Sequence, residues 1–115
     1  MDIKRISPGP RISGAVVHGE TVYVAGTVAS DASAGVKGQT EQILKRIDDL
    51  LAQAGSNKSK ILSATVWLAN MATYDEMNAA WDAWLDAKNP PARATVESRL
   101  AAPKYQVEIA CIAAR

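Results

Sequence analysis

The spacing of apolar and polar residues changes several times along the chain, and each change marks an element. Ile3 to Ile6 reads as a short strand closed by the turn-forming Ser7-Pro8-Gly9-Pro10. Ala15-Val16-Val17-His18 and Thr21-Val22-Tyr23-Val24-Ala25 are rich in β-branched residues, and Gly19-Glu20 between them is a hairpin signal. Gly26 and the Ser/Asp/Gly-rich stretch from Ser30 to Gly38 read as a loop. The period then becomes helical: Ile43, Leu44, Ile47, Leu50, Leu51 and Ala54 lie on one face, with Glu41, Lys45, Arg46 and Asp48 opposite and Gly55 as the stop. Ile61 to Ala69 is apolar on both alternating faces, as in an interior strand. Thr73 with Glu76 forms a capping box before a second amphipathic helix that buries Tyr74, Met77, Trp81, Trp84 and Leu85 and stops at Asn89-Pro90-Pro91. Two strands, Ala92 to Arg99 and Tyr105 to Ala113, close the chain through Pro103-Lys104.

The predicted order is β-β-β-α-β-α-β-β over residues 1–115, a single α+β domain with one mixed β-sheet and two helices on one face. Two helices cover one face of such a sheet only. The strands at 61–69 and 105–113 nevertheless carry apolar residues on both faces. The second face therefore calls for a cover, and the simplest is another copy of the chain. A homo-oligomer is expected.

Composition narrows the class. The chain has 115 residues, 48% apolar and 22% charged, within the ordinary range for a globular domain. Thirteen Lys and Arg against twelve Asp and Glu give a formal net charge of +1, which argues against nucleic acid as a partner and offers nothing to an anionic membrane. Cys111 has no second cysteine to pair with, and Cys111 and His18 are too few for a Cys/His zinc site. No apolar run is long enough for a spanning helix or follows the N-terminus as a signal peptide would, so a reduced, cytoplasmic protein is expected.

Candidate chemistry is sparse. The chain has no phosphate-binding glycine loop, HExxH, CxxC or GxSxG. His18 sits at a hairpin turn, Cys111 reads as a small core residue, and Trp81 and Trp84 fit helix packing better than a stacking platform. In Pro91-Ala92-Arg93-Ala94-Thr95-Val96-Glu97, small or apolar residues alternate with polar ones, so Arg93, Thr95, Glu97 and Arg99 share a side. That side reads most simply as solvated. Glu108 is a lone carboxylate within Val107-Glu108-Ile109-Ala110-Cys111-Ile112, costly to bury unless paired or placed at an opening. Residue types alone describe an oligomeric α+β domain with an arginine and a glutamate in its last two strands.

At these residues the chain resembles the Rid (reactive intermediate deaminase, YjgF-like) family, from about Gly9 to Arg115. Pro91-Ala92-Arg93-Ala94-Thr95-Val96 and Val107-Glu108-Ile109-Ala110-Cys111-Ile112-Ala113 carry the likeness most specifically, supported by Ala25-Gly26, Ala54-Gly55 and Met77-Asn78-Ala79-Ala80-Trp81. Gly55-Ser56-Asn57-Lys58-Ser59 and Asn78-Ala79-Ala80-Trp81-Asp82-Ala83-Trp84 look closer to the YoaB-like branch. The resemblance implies a fold like Bacillus chorismate mutase, packed as a homotrimer with ligand clefts at subunit boundaries. It further implies hydrolysis of 2-imino acids such as 2-aminoacrylate, or their enamine tautomers, to 2-keto acids and ammonia, without metal or cofactor.

By that likeness Arg93 holds the substrate carboxylate and Glu108 positions or activates water. Gly26, Asn78, Thr95 and Arg11 line the substrate cleft, and Arg93 and Glu108 meet only in the trimer. Arg11 after Gly9-Pro10, Ala25 before Gly26 and Thr95 beyond the arginine depart from the founding branch, which has tyrosine, serine and often cysteine there. These departures put the substrate preference in question. Two other readings remain at this point: a non-catalytic trimer that binds small carboxylates, and a ribonuclease or translation inhibitor.

Overall fold

A computed structural model describes residues Met1–Arg115. Strands β1 (Ile3–Pro8), β2 (Ser13–His18) and β3 (Thr21–Thr27) precede helix α1 (Val36–Gln53) and strand β4 (Ile61–Leu68). Helix α2 (Tyr74–Trp84) and strands β5 (Ala92–Glu97) and β6 (Val107–Ala114) complete the chain, in the order expected. The sheet runs β1-β2-β3-β6-β4-β5, with β4 and β5 parallel and the other neighbours antiparallel. Because β6 is antiparallel to both β3 and β4, those two strands are parallel to each other. The chain thus makes two successive parallel crossovers in one direction, each through a helix. Right-handed crossovers in a common direction place both helices on one face.

The core lies between that face and the helices. Val22, Val66, Leu68, Val107 and Ile109 project from the sheet against Ile43, Leu44, Ile47, Leu51 and Met77. Gly19, at the β2–β3 hairpin, takes φ +61°. Gly55 takes φ +77° after α1, where the N–H of Ser56 donates to Leu51 and that of Gly55 to Ala52. That paired closure of the last carbonyls favours glycine at this position.

Local signals misplaced several boundaries. Strand β1 continues to Pro8, past Ser7 at φ +50°. Helix α1 begins at Val36, inside the expected loop, because buried Gln39 fastens this end. Its Nε2 donates to the carbonyls of Ala32, Ala34 and Lys104, and its Oε1 accepts from the N–H of Gln106. The Thr73–Glu76 capping box does not form. Met71–Thr73 is a 3₁₀ turn in which Asn70 accepts from the N–H of Ala72, while the Thr73 hydroxyl donates back to the Asn70 carbonyl.

Helix α2 stops at Trp84, before Asn89-Pro90-Pro91, because Asp86 gathers donors from Ser59, Lys88 and Asn89 into a turn. Those bonds, led by Asn89, hold the Asp86 carboxyl below its ordinary range. Trp81 is buried and Trp84 half-buried, its indole N–H donating to Asp48 on α1. Tyr74, expected in the buried stripe, is exposed instead. The closing strands are shorter or shifted: β5 ends at Glu97 and β6 starts at Val107. No helix is long and apolar enough to cross a membrane.

The face opposite the helices is open. Tyr23, Leu62 and Ile112 are 46%, 56% and 37% exposed. A dip of about 170 Å³ lies among Tyr23, Thr65, Ala110 and Ile112.

Candidate active site

Strand β5 is one edge of the sheet, and its pairing with β4 decides where its side chains go. Arg93 is opposite Ala64 and Thr95 opposite Val66, both of which point into the core. Residues paired across adjacent strands share a face, so Arg93 and Thr95 project to the helix side. Tyr74, Met77, Asn78 and Trp81 recur three and four apart on α2, and all four reach Arg93. Nη1 of Arg93 donates to Asn78 Oδ1 at 2.7 Å and faces Met77 Sδ at 3.9 Å, and Nη2 donates to Tyr74 Oη at 3.1 Å. The guanidinium lies 5.0 Å from the Trp81 ring centre and 5.7 Å from that of Tyr74.

These contacts orient a cation without neutralising it. Asn78, Tyr74, Met77 and Trp81 are all neutral, and the aromatic faces favour the positive charge by about 0.5–2 kcal/mol each. A half-buried guanidinium with neutral partners keeps its attraction for an anion, and its planar geometry suits a carboxylate. Beside it, Thr95 Oγ1 is the one buried side-chain polar atom without a hydrogen-bond partner.

Glu108 belongs to the other face. On β6 the residues Val107, Ile109, Cys111 and Ala113 are buried under the helices, so the alternate positions, Glu108 among them, point to the open side. Glu108 is half-buried and opposite Trp67. A bulge between Val24 and Thr27 on β3 brings Gly26 against it, and a Cβ on Gly26 would collide with Glu108 Oε2. The missing side chain therefore makes room for the carboxylate.

Of the residues singled out from sequence, the structure brings Arg93 and Asn78 together, with Thr95 on the same side, and separately joins Gly26 to Glu108. It does not join the two groups within one chain. Arg93 is aligned through Ala64 with Cys111, three residues beyond Glu108. The Cα atoms are thus roughly 10 Å apart across the sheet and about 10 Å along it, with side chains on opposite faces. Arg11 is exposed in the β1–β2 turn and bonds neither group. Glu97 accepts from the N–H of Met71, a structural contact. Arg99 lies beyond β5 and lines a cleft of about 720 Å³ with Glu97, Leu100 and Tyr105, which neither Arg93 nor Glu108 reaches.

Tyr74 was missed from sequence as a site residue, although its four-residue spacing from Asn78 on one helix is the signal that places both at Arg93. Burial pushes the Cys111 thiol up to about 12, so it is protonated near neutral pH and is no nucleophile there.

A mixed six-stranded sheet with two helices on one face and a lone arginine held by neutral groups at its edge defines a small α+β class. The sequence profile of the endoribonuclease L-PSP family matches residues 3–115, and the chain belongs to that family, the YjgF/Rid family. It is 47% identical over 112 residues to a RutC family protein of Haemophilus ducreyi, covering 97% of this chain and 96% of the relative. The RutC family protein YoaB of Escherichia coli is 45% identical over 114 residues, 99% of each chain. A more distant match, 32% identical over 81 residues, is the chloroplastic reactive intermediate deaminase A of Arabidopsis thaliana, covering 70% of this chain and 43% of that protein. A crystal structure of a YjgF family protein from Neisseria meningitidis superposes with a TM-score of 0.96 at 41% identity, covering 100% of this chain and 96% of that one.

Proposed function

We propose that the protein hydrolyses small 2-imino acids to 2-keto acids and ammonia, acting as one domain at clefts between copies of the chain in a trimer. The observation that carries this reading is Arg93: a cation fixed by Asn78, Tyr74 and Trp81 and left without a counter-charge. The relationship to the Arabidopsis deaminase supports the reaction class. In this reading Arg93 grips the substrate carboxylate and sets the imine carbon at the cleft. Glu108 takes a proton from water as its oxygen adds to that carbon and passes it to the nitrogen. It then carries the proton of the added hydroxyl to the departing nitrogen as the carbonyl forms and the carbon–nitrogen bond breaks. One water enters, and one keto acid and one ammonia leave. The imine is already electrophilic, so this scheme asks for no covalent enzyme intermediate. Arg11, Thr95 and Gly26 would shape the cleft.

The open apolar face supplies the surface for a second copy, and the opposite placement of Arg93 and Glu108 supports a shared site. Lys4 and Arg5 lie on the edge strand β1, whereas Lys58 and Lys60 lie in the turn that leads into β4. Three strands separate β1 from β4 in sheet order, which does not favour an RNA-cleaving role.

The test is a coupled assay in which an amino-acid oxidase or a serine/threonine dehydratase generates the imine and semicarbazide traps what is not hydrolysed. The wild-type protein should lower semicarbazone formation; unchanged trapping across several amino acids would sink the reading. Subunit sharing has its own expectation. Co-expressed Arg93→Ala and Glu108→Ala chains, inactive separately, should recover about a quarter of wild-type activity in randomly mixed trimers. A mixture as inactive as its parents would sink the shared site.

Gly26→Ala should leave the fold intact, because the three atoms nearest the added methyl all belong to the flexible side chain of Glu108. It should instead displace the carboxylate and lower kcat about 10- to 100-fold, as expected for a misplaced general base. An unchanged kcat would show that the carboxylate's position over Gly26 is immaterial.

A further inference from the structure

Tyr74 is not among the residues to which the family resemblance assigned a role, yet its hydroxyl contacts Arg93. An arginine has no acceptor, so in the contact at 3.1 Å the guanidinium donates and the phenol oxygen accepts. The proton on Tyr74 Oη is then unused. The hydroxyl donates to no group in the chain, and the side chain is 40% exposed, so that proton is open to a ligand.

Counting the hydrogens on Arg93 leads to the same place. Nη1 spends its two on Asn78 Oδ1 and the Met77 sulfur, and Nη2 spends one on Tyr74. One hydrogen on Nη2 and the one on Nε remain. A carboxylate has two oxygens and about four lone-pair directions, more than those two donors satisfy. The phenol, hydrogen-bonded to the guanidinium and carrying a free proton, supplies a third donor beside them. Accepting from a cation also polarises the hydroxyl and strengthens its own donation.

We infer that Tyr74 is a second carboxylate contact, acting beside Arg93 in binding 2-imino and 2-keto acids; this rests on the function proposed above. The same hydroxyl holds the guanidinium in place, so the two side chains act as a unit. Its ring lies 5.7 Å from the guanidinium and helps keep the cation at the edge of β5.

The experiment compares wild type, Tyr74→Phe and Arg93→Ala, by calorimetric titration with 2-oxobutanoate and by steady-state hydrolysis of the matching imine. Phenylalanine keeps the ring and removes only the oxygen, and circular dichroism would verify the fold. Tyr74→Phe is expected to weaken 2-oxobutanoate binding about tenfold and raise KM by a similar factor with kcat unchanged, as for loss of one hydrogen bond to a charged group. If Tyr74→Phe binds as wild type does while Arg93→Ala does not, the inference is wrong and the role of Arg93 survives. If kcat falls and binding is unchanged, Tyr74 does not contact the carboxylate and the inference is likewise overturned. If wild type neither binds nor hydrolyses, or Arg93→Ala matches wild type in both, the proposed function falls and takes this inference with it.

Discussion

Replacing Arg93 with alanine is expected to lower kcat/KM for imine hydrolysis by about 10²- to 10³-fold. Two hydrogen bonds to a charged group, at about 1.5–3 kcal/mol each and not fully additive, set that scale. The semicarbazide assay reads it directly, since an inactive variant leaves the trap to collect the imine. Arg93→Lys should fall between the two, because an ammonium keeps the charge but cannot form the two parallel bonds of a guanidinium. The fold should survive either change. Arg93 is only half-buried at the edge of β5, and hydration replaces its hydrogen bonds to Asn78 and to exposed Tyr74. A melting temperature close to wild type alongside the lost activity would separate a binding role from a structural one. Full activity in Arg93→Ala would remove the central support for the proposed reaction.

Glu108→Gln is expected to behave differently. Glutamine keeps the shape over Gly26 and removes the proton acceptor, so kcat should drop by about 10²- to 10⁴-fold, the usual worth of a positioned general base. Binding of 2-oxobutanoate should persist, because Arg93 supplies the attraction for the carboxylate. This pairing of outcomes separates an enzyme from a carboxylate-binding trimer. A binder would have no hydrolysis to lose, and both the variant and wild type would simply retain the ligand. Hydrolysis at the wild-type rate in Glu108→Gln would mean that water is activated elsewhere.

Much of the fold was legible because secondary structure follows local periodicity. The helical recurrence of Ile43, Leu44, Ile47, Leu50 and Leu51 needs no tertiary knowledge, and the set is buried as its pattern requires. Boundaries were less legible, since distant groups fix them. Gln39 secures the start of α1 through Lys104 and Gln106, and Asp86 ends α2 with help from Ser59. Tyr74 shows the same limit at the site. Its place on an amphipathic stripe suggested burial, but it stands against Arg93 on the edge strand β5 and is exposed there.

Local pattern was enough for the strand and helix order and for the need to cover an apolar sheet face, and the family resemblance added the candidate pair Arg93 and Glu108. Alternation within a strand also places Arg93 and Thr95 on one side of theirs, and Glu108 on one side of its own with Gln106, Ala110 and Ile112. The tertiary structure decided that the two groups occupy opposite faces of the sheet. Alternation says which residues of one strand point together, but not which side they share with another strand. That depends on register, and register is set by pairing between segments distant in sequence: β5 against β4 and β4 against β6.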